Sequence, residues 1–169
     1  MKSNADTQTL RRDFEDFLRQ YDGVIRKVCY FYASDADDFD DLHQEAMINL
    51  WRGFGQFRGD SRISTWVYRV SLNSCVSYFR RHKRGRESVS IDSVADLVAE
   101  DDGKAAMLRQ MYRIINLLGP SDKAIVLLWL EERSYEEISD IMGIGRNTVA
   151  SRLRRAKEKL LTFRDAGSP

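Results

Sequence analysis

Apolar residues recur along the chain at spacings of three and four, which places them on one face of an α-helix. The first such series follows Thr9, a candidate N-cap, and Gly23 is expected to bend or divide it. Its members are Leu10, Phe14, Phe17, Leu18, Tyr21, Ile25, Val28 and Tyr32. No Asn-Gly or Asp-Gly pair lies between alternating apolar runs, the pattern of a β-hairpin. The sequence therefore predicts an all-α protein.

Two further helices are predicted in the first half of the chain. One carries a single apolar stripe after an acidic turn, formed by Phe39, Leu42, Ala46 and Leu50. The other runs from about Ser64 to Arg81 and follows a glycine-containing loop. Its core side is predicted to hold Ile63, Val67, Val70, Ser71, Ser74 and Tyr78.

A polar and acidic segment, 85–103, has few large apolar residues and predicts a flexible linker. We therefore expect two small helical domains, 9–84 and 104–164. The second is predicted to begin with an amphipathic helix and to restart at Ser121, as N-cap of an apolar core helix.

The net charge of +1 conceals separate basic and acidic blocks. Residues 52–86 carry nine Lys and Arg against one acid, and residues 146–164 carry seven against one. Between them, residues 87–103 carry six acids and no base. Basic blocks of this kind are typical of surfaces that bind nucleic acid.

The composition also excludes several classes of protein. Cys29 and Cys75 lack the spacing of metal ligands and are expected to be buried, reduced thiols. We predict no metal site and no cofactor. The N-terminus lacks an apolar signal segment, and the longest apolar run is shorter than the roughly 18 residues of a membrane span, so a cytoplasmic protein is expected. His43 and His82 have no catalytic companion at useful spacing, which argues against an enzyme.

Residues 134–161 have the pattern of a helix-turn-helix motif. Ser134 and Glu137 form a predicted capping box, and Gly143 to Gly145 predict a tight turn before a second helix. The outward side of that helix is predicted to meet a major groove with Arg146, Asn147, Thr148, Ser151, Arg152 and Arg155. Arg and Asn can contact guanine and adenine edges in bidentate fashion. The alternative is a helical hairpin with a solvated basic face.

Residues 57–84 interleave aromatic rings with arginines, the composition that holds unstacked bases and nearby phosphates. On the predicted helix, one polar strip comprises Trp66, Arg69, Asn73, Ser77 and Arg80. Asn73 could bond a base edge while the arginines hold phosphates. The preceding loop predicts a pocket for one extruded base, formed by Phe57, Arg58, Gly59, Asp60 and Ser61. For Trp66 and Phe57, packing inside the protein is favoured over base contact.

The predicted helix after the acidic turn has an acidic face, Asp41, Gln44 and Glu45, opposite its apolar stripe, and Ile48 is a candidate further member of this face. This face cannot attract DNA. It is either solvated surface or a docking site for a basic partner, with Met47 or Trp51 as the apolar anchor.

These three segments, in this order and with an acidic linker before the third, resemble a bacterial RNA polymerase sigma factor of the sigma-70 family, in its extracytoplasmic-function (ECF) group. The resemblance covers most of residues 10–163. It implies that the acidic face, with Leu42, binds the clamp helices of the polymerase β′ subunit. Residues 57–61, with Thr65, Trp66, Tyr68, Arg69 and Asn73, would recognise the −10 element, and residues 134–160 the −35 element.

The resemblance further implies a protein that binds core RNA polymerase through its β′ and β subunits, selects promoters and helps open the −10 region. The linker would pass near the RNA exit path. Many members also have an anti-sigma factor as partner, although no residue here requires one. The alternative functions are a helix-turn-helix transcription regulator that does not replace a sigma factor, and an RNA-binding protein.

Overall fold

The computed structural model describes residues 4–82 and 110–166, and these two ranges contain helices and turns but no strand. The first group of helices comprises α1 (Asn4–Tyr32), α2 (Ala36–Phe54) and α3 (Ile63–His82). The second group comprises a helical segment at 110–115, then α4 (Pro120–Leu130), α5 (Tyr135–Met142) and α6 (Arg146–Ala166). The predicted all-α class with two helical groups is confirmed, and the predicted linker 85–103 lies outside the described residues.

Helix α1 differs from its predicted bounds. It begins at Asn4, so Thr9 lies inside the helix and its prediction as an N-cap is wrong. It also continues through Gly23, which therefore does not divide it. A glycine inside a helix costs about 1 kcal/mol relative to alanine. Burial of Phe17, Ile25 and Val28 on both sides of this position offsets that cost.

The first group is held together by the apolar faces of its three helices. The predicted stripe of α2 is buried, with Leu42, Ala46 and Leu50 at most 1% exposed. Before α2, the carboxylate of Asp35 accepts a hydrogen bond from the backbone N–H of Asp38 and caps the helix. The predicted buried thiols are also confirmed, since Cys29 and Cys75 are both free and buried.

The second group is built around α4, whose residues 123–128 are all buried. Helix α4 begins at Pro120 with Gly119 as N-cap, so the prediction of Ser121 as N-cap is wrong. Proline suits the first helical position because its missing N–H would have no partner there. The Ser121 hydroxyl instead accepts a hydrogen bond from Arg80 of α3, at 3.0 Å.

Helices α5 and α6 form the predicted helix-turn-helix. Ser134 and Glu137 make the reciprocal capping box at the start of α5. Helix α5 ends at Gly143, whose φ of 66° lies in the left-handed region that glycine adopts without strain. On α6, Val149 and Leu153 are buried on the inner side of the helix.

The two groups contact each other directly. The Tyr32 hydroxyl of α1 donates a hydrogen bond to the carbonyl of Pro120 at 2.6 Å. Lys123 of α4 is only 2% exposed, and its ammonium lies 5.4 Å and 5.0 Å from the ring centroids of Phe31 and Tyr32. In the described ranges, no helix is both long enough and apolar enough to cross a membrane.

Candidate nucleic-acid interface

The start of α6 carries the six residues predicted to face a major groove, which we call the recognition face. Arg146, Asn147, Thr148 and Arg155 are exposed, while Ser151 and Arg152 are half-buried. The turn before α6 is fixed by the Ser139 hydroxyl, which donates to the carbonyl of Ile144. A short helix, a left-handed glycine and a buried inner face thus leave these polar side chains on one outer surface.

Acidic side chains of the same group hold two arginines of the recognition face. Arg146 pairs with Glu136 of α5, and this hydrogen bond lowers the pKa of the Glu136 carboxyl. Arg152 pairs with Asp122 of α4 at 2.7 Å. Neither acid was predicted from the sequence, because these partners lie 10 and 30 positions away and share no local pattern with the arginines.

The loop before α3 and the aromatic residues near it are arranged for packing. The Trp66 ring lies 5.2 Å from that of Phe57 and 5.9 Å from that of Phe17, and both Trp66 and Phe57 are half-buried. A Cβ added at Gly53 would lie 2.9 Å from the Trp66 ring, so the close approach of α2 needs glycine there. These contacts agree with the interpretation of both rings as packing residues.

The polar residues of this region remain accessible. Arg58 and Asp60 are exposed in the loop, and Ser61 is half-buried. On α3, Asn73 and Arg80 are exposed and share one side of the helix. The loop and helix therefore present one polar surface.

Arg69 of this surface is bonded to the second group. It donates to the carbonyl of Ile141 at 3.4 Å and also to the carbonyl of Asp140, both in the last turn of α5. A polar cleft of about 540 Å³ adjoins this contact. One wall includes Asp60, Ser61 and Thr65, and the other includes Glu136, Glu137 and Asp140.

The acidic face lies on α2, and two of its side chains have hydrogen-bond partners on α3. Asp41 and Gln44 are exposed, and Asp41 accepts a hydrogen bond from Tyr78 at 3.1 Å. Burial, together with this hydrogen bond, raises the pKa of the Tyr78 hydroxyl. Glu45 pairs with Arg81 of α3 at 2.8 Å.

The predicted anchors of the acidic face are not prominent on its surface. Met47 and Trp51 are half-buried and pack against the core, with the Trp51 ring 5.0 Å from that of Phe14. Ile48, 40% exposed, is the large apolar side chain that this part of α2 presents to solvent. Helical periodicity had already made Ile48 a candidate member of this face.

The second group also has an apolar groove of about 490 Å³ that was not predicted from the sequence. Its lining includes Met111, Ile114, Trp129, Leu130 and Leu161. The sequence feature that could have indicated this groove is the pair of adjacent leucines, Leu160 and Leu161, towards the end of the basic helix α6. Lys157 lies 3.9 Å from the centroid of the Trp129 ring, so a cation covers one side of the groove.

Comparisons with known proteins give a consistent result. Residues 17–85 match the family model of Sigma-70 region 2, and residues 108–160 match that of Sigma-70, region 4. The RNA polymerase sigma-H factor of Pseudomonas aeruginosa is 31% identical, with 89% of this chain and 85% of that protein covered. The ECF RNA polymerase sigma-E factor of Escherichia coli is 36% identical, with 73% of this chain and 72% of that protein covered.

A solved structure agrees at the level of the fold. The sigma factor RpoE from Bartonella quintana, in complex with the anti-sigma factor NepR, superposes with a TM-score of 0.71. The identity is 21%, and the alignment covers 93% of this chain and 99% of that chain. The alignments to the two relatives above 30% identity include residues of both helical groups. The chain belongs to the ECF group of the sigma-70 family of RNA polymerase sigma factors.

Proposed function

We propose that this chain binds core RNA polymerase, directs it to specific promoters and helps to open the −10 region. It acts by binding and not by catalysis, and it acts in the cytoplasm, where its polymerase partner works. The observation that carries this proposal is the match to both sigma-70 regions in one chain, with a separate polar surface on each helical group.

The acidic face of α2 is the proposed contact with the polymerase β′ subunit. Its exposed carboxylate and amide, Asp41 and Gln44, suit a basic partner, and the exposed Ile48 supplies an apolar contact beside them. The hydrogen bond from Tyr78 fixes the orientation of the Asp41 carboxylate. An oriented charge loses less side-chain entropy on binding.

The polar surface of the first group is the proposed site for the −10 element. Asn73 is exposed and carries both a donor and an acceptor, as a contact to a base edge requires. Arg58 and Arg80 supply positive charge for phosphates on either side of it. The Trp66 ring packs between Phe17 of α1 and Phe57 of the loop, and it thereby fixes the position of the loop relative to α3.

The recognition face of α6 is the proposed site for the −35 element, in duplex form. The six residues span about two and a half helical turns at the N-terminal end of the second helix, which is the part that enters a major groove in helix-turn-helix proteins. Contacts by the first group with opened DNA and by the second with duplex DNA together fix the register of polymerase on a promoter.

An anti-sigma factor is a further proposed partner. The sigma factor RpoE of Bartonella quintana, which shares the fold of this chain, was solved in complex with the anti-sigma factor NepR. Such a partner would control when the polymerase-binding and DNA-binding surfaces become available.

The test of the proposed function combines the purified chain with bacterial core RNA polymerase and a library of double-stranded promoters. Stable association, followed by transcription from a selected −35/−10 pair, is the expected result. Binding of duplex DNA without polymerase, and no effect on transcription by core polymerase, would instead indicate a conventional helix-turn-helix regulator.

A substitution on α3 tests the proposed role in opening. Asn73→Ala is expected to reduce opening at the selected promoter by roughly 1–3 kcal/mol, the contribution of one good base contact. Gln20→Ala, which truncates an exposed amide side chain of α1 outside this polar surface, serves as the matched control. Permanganate reactivity of unpaired thymines measures opening directly. Equal effects of the two substitutions would exclude base recognition by Asn73.

A further inference from the structure

One arginine of the recognition face, Arg152, is held by a carboxylate from another helix. Its Nε donates to the carboxylate of Asp122 on α4 at 2.8 Å, and its Nη2 lies 2.7 Å from the same oxygen. The side chains of Arg152 and Asp122 are 29% and 28% exposed, so solvent screens their pairing only in part. Asp122 lies in the first turn of α4, directly before the buried residues 123–128, and α4 packs against α6. The core of the second group therefore fixes the position of this carboxylate.

Two other arginine–carboxylate pairs near the recognition face are more exposed. Arg154 pairs with Glu158 of the same helix at 3.1 Å, and these side chains are 71% and 59% exposed. The side chains of Arg146 and Glu136 are 57% and 62% exposed. Exposed pairs contribute little and are well screened, whereas a half-buried pair that shares two donors with one carboxylate keeps its geometry. Of these three pairs, that of Arg152 is the most constrained.

The pairing with Asp122 changes what Arg152 can offer to DNA. A phosphate is attracted by net positive charge, and the nearby carboxylate cancels much of that charge. A guanine edge instead accepts hydrogen bonds at O6 and N7, which match two parallel N–H donors of one guanidinium. The contact with Asp122 uses Nε and one side of Nη2, so the edge formed by Nη1 and Nη2 lies outside it. Arg152 thus keeps donors in a fixed orientation but loses much of its attraction for phosphates.

We infer that Asp122 is a positioning residue for base recognition, which orients Arg152 towards one guanine of the −35 duplex and withdraws it from phosphates. This inference rests on the proposed function, because it places α6 in the major groove. Arg152 follows Thr148 by four positions and precedes Arg155 by three, so it shares a side of α6 with both of these exposed residues. Arg155 is bonded only through Nε to the carbonyl of Ser151 among the contacts described, at 3.4 Å, and keeps the full charge that suits a phosphate. The two arginines therefore have different roles.

The experiment measures how strongly the full chain distinguishes base pairs, with duplex −35 fragments and no polymerase. Fragments randomised within the −35 element are separated into bound and unbound pools at low salt, and sequencing gives the relative affinity for each base at each position. The native chain is expected to prefer one G·C pair that Arg152→Ala no longer distinguishes. The preference expected from one bidentate contact is roughly fivefold to 150-fold. The slope of log affinity against log salt is measured on one fixed fragment.

Substitution of Asp122 supplies the perturbation. Asp122→Asn retains the shape of the side chain and one acceptor, but discrimination at the G·C pair should fall roughly fivefold or more, because a neutral amide holds the guanidinium less firmly. The uncompensated charge of Arg152 should steepen the salt slope by about 0.9, the share of one phosphate contact. Asp122→Glu keeps the negative charge and should retain the native slope. Glu158→Gln, which neutralises the partner of Arg154 on the same helix, is the matched control and should leave every base preference unchanged.

Three results would overturn the inference. One is an equal loss of affinity for all duplexes in Asp122→Asn, as expected if the pair only supports the fold. Another is an unchanged base preference in Asp122→Asn. The third is a shallower salt slope in Arg152→Ala with no base preference lost, as expected of a phosphate contact. Circular dichroism melting checks that each variant is folded. A native chain without any base preference would contradict the proposed −35 site itself, so failure of the proposed function is distinguishable from failure of the role of Asp122.

Discussion

Leu153→Ala is expected to unfold the helix-turn-helix while leaving the first group of helices intact. Leu153 is 1% exposed and lies on the inner side of α6, in the core that also contains Ile138 and Ile141 of α5. Truncation of a buried leucine to alanine costs about 2–5 kcal/mol through lost apolar burial and the cavity left behind. Small domains are stabilised by roughly 5 kcal/mol or little more, so the loss removes a large part of the stability of the second group.

The assay is urea denaturation, followed by circular dichroism and by hydrogen exchange resolved for each helix. With a denaturant slope of about 1–2 kcal/mol/M, the midpoint of the second group should fall by roughly 1–5 M. The matched control is Leu161→Ala, the same truncation on the same helix at a side chain that is 51% exposed, where the expected cost is below about 1 kcal/mol. Duplex −35 binding should be lost in Leu153→Ala, while association with polymerase through α2 should persist. Equal destabilisation by the two substitutions would refute the assignment of Leu153 to the core.

Three further substitutions have defined outcomes. Asp41→Asn keeps a hydrogen-bond acceptor for Tyr78 but removes one negative charge from the acidic face, so affinity for core polymerase should fall roughly fivefold. The control is Glu15→Gln on α1, which should have no effect on this affinity. A pull-down titration with core polymerase compares the two variants. Gly143→Ala should lower the stability of the fold by about 1–2 kcal/mol, because φ is 66° at this position. Gly145→Ala should be tolerated, because the nearest atom to an added Cβ lies 3.8 Å away. Melting curves that shift equally for the two variants would contradict this prediction. Arg155→Ala should reduce the slope of log affinity against log salt by about 0.9 for duplex −35 DNA, and an unchanged slope would remove Arg155 from the phosphate contacts.

Features that depend on neighbouring residues could be predicted from the sequence. The capping box of Ser134 and Glu137 needs only a spacing of three, and it forms as predicted. The turn at Gly143 depends on the preference of glycine for positive φ, which is a property of the residue itself. The buried stripe of α2 follows from helical periodicity.

Features that depend on tertiary packing could not be predicted in the same way. Thr9 and Ser121 have the chemistry of N-caps, but each lies inside a helix that begins earlier. Local preference at a cap contributes about 1 kcal/mol, which the burial of a whole helix face outweighs. Gly23 fails as a helix boundary for the same reason, because apolar residues on both sides of it are buried together.

The candidate site shows the same division. Helical periodicity placed Asn147, Thr148, Ser151, Arg152 and Arg155 on one side of α6, whereas Arg146 is exposed as the first residue of the helix. The sequence held no information on which acids would face them. Arg69 likewise has the composition of a phosphate contact, yet in the free chain it bonds to α5, 71 positions away. Contacts at such separation depend on how the helices dock, which local patterns do not specify.

The internal partners of these arginines affect how the chain can use its basic surfaces. Arg146, Arg152 and Arg69 bond to Glu136, to Asp122 and to the carbonyls of α5, so each must exchange a partner within the protein to bind a phosphate. Such an exchange gains less free energy than the binding of DNA by an unpartnered arginine, because one favourable contact is lost for each one made. With a net charge of only +1, the chain also has little long-range attraction for DNA. The isolated chain should therefore bind promoters weakly, and stable promoter binding requires the additional contacts that polymerase supplies.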